Sequence, residues 1–490
     1  TPPPVRGPAG GPTRAPAEGR TGFRWPFRMS ERRALLLVVD VLLVNLCVAL
    51  ALWIWTIGYV AFTRDFLFGQ LYWFPFLTAL WVVFGVLNGL YETSVTSSLR
   101  NSARALTQVV ALLLVAYLLI YFLSSPGELP RRFVFYFVGM SFVALGVWRY
   151  VYTVYLGKSP FQRRAILVGS GAASSIAAQT VRTLSNPHYH VVGFVNEQVL
   201  NRPDASESDK DLMAPLGSTE DLPELVQLMG ASEVIVTSMD HPNESLVRSL
   251  VDCQEQGVQV TPLPVVYEEI TGRIPLDLVS DGWLSVLPMS HASTGVIFPL
   301  VKRSIDITLA LLGLAGLLVL LPFVAVAIRL DSRGPVFYRQ DRIGKGGRRF
   351  RAYKFRSMAV PPDEAEQPLW TERGDSRVTR IGRILRSTHV DEFPQFLNVF
   401  KGDMSAVGPR PERIELADQF DKAIPFYRLR HSVRPGMAGW AFINQGNTSS
   451  VQDAWMKLEY DLYYIKHQSL WLDAVILLKT FVDAVTFRGR

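Results

Sequence analysis

The 490-residue chain has little cysteine and little charge. Its two cysteines, Cys47 and Cys253, fall in an apolar run and in a polar helical stretch. Neither a disulfide framework nor a thiolate metal site is supported by that pattern. Charged residues make up 19 % of the chain, below the roughly 25 % of soluble domains. With 49 % hydrophobic residues and a mean hydropathy of +0.18, this argues against a purely soluble enzyme and against a disordered or fibrous protein. The histidines (188, 190, 241, 291, 389, 431 and 467) show no metal-ligand spacing, so zinc is not expected. No basic-aromatic pattern points to nucleic acid. The net charge of +7 is therefore assigned to phosphorylated substrates and an anionic bilayer surface.

The length suggests about three structural units after a tail. Residues 1–31 are rich in Pro, Gly and Arg and read as a disordered tail. Residues 32–160 read as a four-helix transmembrane anchor. Four apolar segments, at about 34–57, 71–90, 105–124 and 133–150, approach the roughly 20 residues that span a bilayer. Arg28, Arg32 and Arg33 precede the first, and Arg149, Lys158, Arg163 and Arg164 follow the fourth, which puts both ends in the cytoplasm. Asp40 and Asn45 in the first segment are candidates for packing inside the bundle, with no clear partner in the sequence.

Residues 161–293 alternate strand and helix, as a doubly wound, Rossmann-like α/β domain does. Strands are expected at Ala165–Val168, Val191–Val195, Glu233–Thr237 and Val258–Thr261, with helices near 220–229 and 243–256. The turn from Gly169 and Gly171 to Ser174 approximates a dinucleotide fingerprint, with Ser in place of the third Gly. Gly169 and Gly171 are weak nucleotide-binding candidates. No Tyr is followed four residues later by Lys, so the acid/base pair of short-chain dehydrogenases is missing.

Residues 294–490 carry the chemistry. Lys302 and Arg303 open an apolar run that contains Pro322 and ends at Arg329. Basic residues at both ends favour the same leaflet, and Pro322 can break a helix. A re-entrant membrane helix over 303–330 satisfies both facts. Lys354-Phe355-Arg356-Ser357-Met358 follows, then a cationic stretch through Arg383 and Arg386, then Asp391-Glu392-Phe393-Pro394-Gln395 and Val407-Gly408-Pro409-Arg410-Pro411. Adjacent acids beside several arginines suit a carboxylate nucleophile and a divalent cation working on phosphates. Taken singly, each motif is modest.

Their order closely resembles the bacterial sugar transferase family, the monotopic phosphoglycosyl transferases. With the membrane helices and Rossmann-like domain in front, the chain looks like the large undecaprenyl-phosphate galactose or glucose phosphotransferase type. The resemblance implies an α/β-type catalytic domain at the cytoplasmic face of the bacterial inner membrane. It would transfer hexose-1-phosphate from a UDP-hexose to undecaprenyl phosphate, releasing UMP, as the first step of exopolysaccharide, capsule or O-antigen synthesis. It further implies Asp391 as nucleophile of a covalent phosphosugar intermediate and Glu392 as a ligand of Mg2+. Phosphate-binding cations would be Lys302, Arg303, Lys354, Arg356, Arg383, Arg386 and Arg410. A homodimer embedded in membrane lipids is what the large relatives suggest. Two positions depart from the family pattern: His389 stands where Ser is usual, and Phe442-Ile443-Asn444-Gln445-Gly446 where Gln-Val-Asn-Gly is usual. Both bear on which sugar is taken. The rival readings are a membrane-tethered nucleotide-sugar dehydratase or epimerase, and a non-enzymatic membrane assembly or regulatory protein.

Overall fold

The computed structural model describes residues 29–57, 68–91, 93–96, 98–123, 131–156, 163–169, 189–196, 216–237, 243–276, 297–359, 377–445 and 450–485. The expected tail up to residue 28, Gly171 and Ser174 lie outside them.

The anchor is built from helices Met29–Thr56, Trp73–Leu87, Leu99–Leu123 and Arg131–Val151. Three are long and apolar enough to cross a bilayer. Trp73–Leu87, at 15 residues, is shorter than the expected 71–90 segment and spans only about 22 Å. They close around one core that includes Val48, Leu52, Trp81, Leu113 and Phe137. Asp40, unpartnered in the sequence reading, forms a fully buried ion pair with Arg149 from the end of the fourth helix. Asn45 Nδ2 donates to Thr78 Oγ1 at 3.0 Å and to the Val41 carbonyl at 2.7 Å. Polar groups cannot be left bare in hydrocarbon, and these two residues stitch the first helix to the second and fourth.

The second unit is a parallel four-stranded sheet in the order β2-β1-β3-β4, with β1 Arg163–Gly169, β2 Tyr189–Asn196, β3 Glu233–Val236 and β4 Gln259–Pro262. All four strands and the helices Leu222–Met229 and Glu244–Glu255 stand where the βα alternation placed them. Apolar residues alternate between two clusters, one around Ile166, Val168, Val234 and Val236, the other around Ala165, Leu167 and Ile235. This is the signature of a sheet covered on both faces. Gly169 closes β1 opposite Asn196.

The helix Leu263–Thr271 then leads the chain onto the third unit. Glu268 accepts from Lys466 Nζ at 2.8 Å, Trp440 Nε1 donates to the Gly272 carbonyl at 2.9 Å, and Ile274 and Leu276 enter the largest core of the C-terminal unit.

The apolar run forms one helix, Ile297–Asp331, continuous through Pro322. No break in the helix occurs at Pro322, where one was expected. Proline removes one backbone hydrogen bond and clashes one turn back, but packing on both sides holds this helix together. Leu317, Leu321, Val324 and Ile328 pack with Phe355 and Leu385 in one cluster that brackets Pro322. At about 52 Å, the helix touches the C-terminal unit along its length, through Asp306, Ala310, Gly313, Ile328 and Asp331. A Cβ on Gly313 would stand 2.3 Å from the Phe396 ring, so glycine permits that close approach. The opposite face exposes Leu312, Leu318, Val319, Phe323, Val326 and Leu330. The C-terminal helix Leu470–Val485 buries Ile476 in the domain core, exposes Trp471 and Phe481, and packs against the short Trp73–Leu87 helix.

Candidate active site

Three short segments converge on the acidic pair. The antiparallel hairpin of β5 Phe337–Ile343 and β6 Arg349–Phe355 supplies Lys354. Helix Arg380–Ser387 begins at a Thr379 cap whose side chain accepts from the Gly382 N–H at 2.9 Å. The Asp331 carboxylate accepts from the Ile381 N–H at 2.8 Å, tying this helix to the end of the 297–331 helix. The Ile381 hydrogen bond, helped by the Thr379 hydroxyl, holds the Asp331 carboxyl below its usual range. His389 then turns the chain with φ 57° and ψ 13°, a left-handed conformation rare outside glycine. The next residues, Val390–Gln395, form a 3-10 turn carrying Asp391 and Glu392, both buried.

Glu392 is gripped from two sides. Lys354 Nζ donates to Oε1 at 2.7 Å; Arg410 Nη2 donates to the same oxygen at 2.6 Å, and its Nη1 to Oε2 at 3.3 Å. Burial alone would raise the Glu392 pKa, but these two cations overcome it and hold the carboxyl well below its usual range. The negative charge in turn raises the pKa of Arg410. Burial pulls Lys354 down.

Asp391 differs. Burial, then the adjacent Glu392 charge, push it up to about 6, against the pull of Lys354, Arg386 and Arg410. Two neighbouring carboxylates in one pocket thus divide the work. Glu392 is a permanent anion that fixes two cations. Asp391 is a carboxyl that loses its proton close to neutral pH.

Below the pair, Gly408, Gly436 and Gly439 let β7 Ser405–Val407 and β8 Gly436–Ala438 approach closely, which carries Arg410 into place. Phe442 lies under the Arg410 guanidinium at 5.3 Å and meets the His389 ring edge-on at 6.0 Å. The two departures from the family pattern therefore touch each other, and Phe442 also touches the arginine. A buried network underlies the site. Arg430 Nη2 donates to Asp461 Oδ2 at 2.7 Å and to the Arg410 carbonyl at 3.0 Å, while Lys457 pairs with Glu412.

The structure brings together Asp391, Glu392, Lys354 and Arg410, with Arg386 half-buried one turn before them. The other named cations do different work. Arg356 donates to the Ser332 and Arg333 carbonyls, Lys302 pairs with Asp473 at 2.6 Å, and Arg303 caps the Val399 and Phe400 carbonyls. Arg383 is exposed. Two polar residues outside the expected site set prove structural. Buried Asp306 accepts from Ser405 Oγ at 3.0 Å and the Ala406 N–H at 2.9 Å. Buried Asn398 donates to the Arg351 carbonyl and accepts from the Tyr353 N–H. Their signal was a polar residue inside an apolar helical stretch.

Glu392, the expected Mg2+ ligand, is engaged by two cations in this structure. Both Glu392 oxygens already take N–H donors from cations, and no group of three or more His, Cys, Asp or Glu side chains among the described residues is placed to hold an ion.

Residues 298–487 match the family described as bacterial sugar transferase, and residues 86–262 match one described as a CoA-binding domain. The chain is 43 % identical over 243 residues to a UDP-N-acetylgalactosamine-undecaprenyl-phosphate N-acetylgalactosaminephosphotransferase from Aeromonas hydrophila, covering 49 % of this chain and 56 % of that protein. It is 32 % identical over 344 residues to an undecaprenyl-phosphate glucose phosphotransferase from Komagataeibacter xylinus, covering 67 % and 60 %. With the exopolysaccharide production protein PSS of Rhizobium leguminosarum bv. phaseoli it shares 41 % identity over 194 residues, 39 % of this chain and 96 % of the relative. The matches thus span little more than half the length of the longer relatives and nearly all of the short one.

Proposed function

The chain belongs to the bacterial sugar transferase family, and from that premise we propose that it transfers a hexose-1-phosphate from a UDP-sugar to undecaprenyl phosphate at a membrane surface. The observation that carries this reading is the asymmetric acidic pair. Glu392 is bound by Lys354 and Arg410, and beside them Asp391, its pKa pushed up to about 6, makes no ion pair among the described residues.

An Asp391 carboxylate oxygen attacks the sugar-bearing phosphorus of the diphosphate. The bond from that phosphorus to the bridging oxygen breaks, and UMP leaves with the electron pair. A carboxylate is repelled by an anionic diphosphate, so the repulsion must be offset where the bond forms. Lys354 and Arg410 are already anchored by Glu392 and need no reorganisation to do this. An oxygen of the lipid phosphate then attacks the same phosphorus. The acyl phosphate bond breaks, Asp391 is restored, and the product is a polyprenyl diphosphate sugar.

The 297–331 helix supports the setting. It is long and apolar enough to cross a bilayer, but Asp306 near its start and Asp331 at its end are both held by the catalytic domain. Its exposed apolar face instead lies in the membrane surface, with both ends on the side of the catalytic domain. The positive flanks of the anchor make that side cytoplasmic, in the inner membrane of a bacterium, and the product would prime a surface polysaccharide. The test is UMP release from UDP-hexoses by the full chain with undecaprenyl phosphate. Turnover dependent on the lipid supports the reading; conversion of the sugar nucleotide without a lipid acceptor overturns it.

A further inference from the structure

A cavity of about 200 Å³ opens at the first turns of the 297–331 helix, away from the acidic pair. Lys354, Arg410, Asp391 and Glu392 are not among its walls. We propose that it binds the phosphate group of a membrane amphiphile.

The charges lining the cavity do not balance. Lys302 is neutralised by Asp473, Arg303 is held by two carbonyls, and the acid on the wall, Asp306, is spent on Ser405 and Ala406. Lys345 and Arg434 remain. They come from separate loops, one joining β5 to β6 and one leading into β8, and both are exposed with no ion pair among the described residues. Nothing in the fold itself accounts for two unneutralised cations at one mouth. Ser432 adds an independent sign, because its Oγ is buried on the cavity wall without a hydrogen-bond partner. A buried hydroxyl left bare costs free energy, which a bound acceptor would offset.

Two cations and a hydroxyl from three directions suit a tetrahedral phosphate with several acceptor oxygens. The remaining wall is apolar, from Phe298, Pro299 and Val433, and just outside it Ile297 and Leu300 are exposed. A free anion has no use for that wall, whereas the first methylenes below a headgroup do. The inference rests on the reading that the 297–331 helix lies in a bilayer surface. It does not depend on the reaction.

The test is native mass spectrometry of the full chain in detergent, titrated separately with phosphatidylglycerol, undecaprenyl phosphate, phosphatidylcholine and inorganic phosphate. The wild type retains one anionic phosphate lipid in preference to phosphatidylcholine, whose trimethylammonium neutralises its phosphate, and to inorganic phosphate. Preference for phosphatidylglycerol identifies the bulk leaflet as the source, and preference for undecaprenyl phosphate identifies the acceptor. Lys345→Gln with Arg434→Gln weakens that binding about thirtyfold, as expected for two surface cations. Arg434→Lys restores part of the loss, and Ser432→Ala weakens binding without loss of charge. Equal affinity in wild type and double variant, or equal retention of phosphatidylcholine, overturns the proposal. Binding is read without turnover, so an inactive protein leaves the result standing.

Discussion

Arg410 holds Glu392 with both terminal nitrogens, at 2.6 and 3.3 Å, while Phe442 supports the guanidinium from below at 5.3 Å. This makes Arg410 a fixed charge, not a mobile one, beside the neighbouring Asp391. The planar fork is what allows both contacts at once.

Arg410→Lys keeps the charge and loses the fork. It should lower kcat about a hundredfold, the scale of losing one preorganised donor at a developing charge. Steady-state UMP release checks this.

Asp391 sets the acid limb of the pH profile. Its pKa lies at about 6, so below that value it holds its proton and cannot attack. Log kcat/KM should rise with pH through about 6 and then level. Lys354 lowers the Asp391 pKa, so Lys354→Met should move this limb to higher pH. A limb that moves to lower pH, or stays fixed, contradicts the assigned coupling.

Asp306→Ala removes the acceptor for the Ser405 hydroxyl and the Ala406 N–H, both buried. Two stranded donors should cost roughly 2–4 kcal/mol, read as a lower Tm in detergent. Asp306→Asn, which keeps one acceptor oxygen, should lose less.

In the anchor, Asp40→Leu should destabilise the bundle by about 3–5 kcal/mol, because Arg149 is left buried and unpaired. The double replacement Asp40→Leu with Arg149→Met should recover most of that loss. Thermal unfolding of the three variants in one detergent provides the comparison.

How far the sequence could be read depended on whether the information was local. The four strands of the Rossmann-like unit followed from short apolar runs between turns, and the Asp391–Glu392 pair from an ordered set of motifs. The Asp40–Arg149 pair was not legible, since its members are 109 residues apart and each looks ordinary by itself. Pro322 is the opposite case, because the helix break expected there is absent. Its local preference for a break is overridden by Leu317, Leu321 and Val324 packing on both sides of it. Lys302, Arg303 and Arg356 showed only that cations were plentiful; which of them face carbonyls and which face the acidic pair is a property of the packed fold.

The central claim is that Asp391 becomes bonded to phosphorus. Incubating the full chain with a UDP-hexose labelled with 32P in its sugar-bearing phosphate, without lipid acceptor, tests it most directly. The account predicts one labelled phosphosugar per chain, released on adding undecaprenyl phosphate and absent from Asp391→Asn, whose turnover falls by roughly a thousandfold or more. Lipid-dependent turnover at the wild-type rate in Asp391→Asn, or label that never enters the protein, would contradict it.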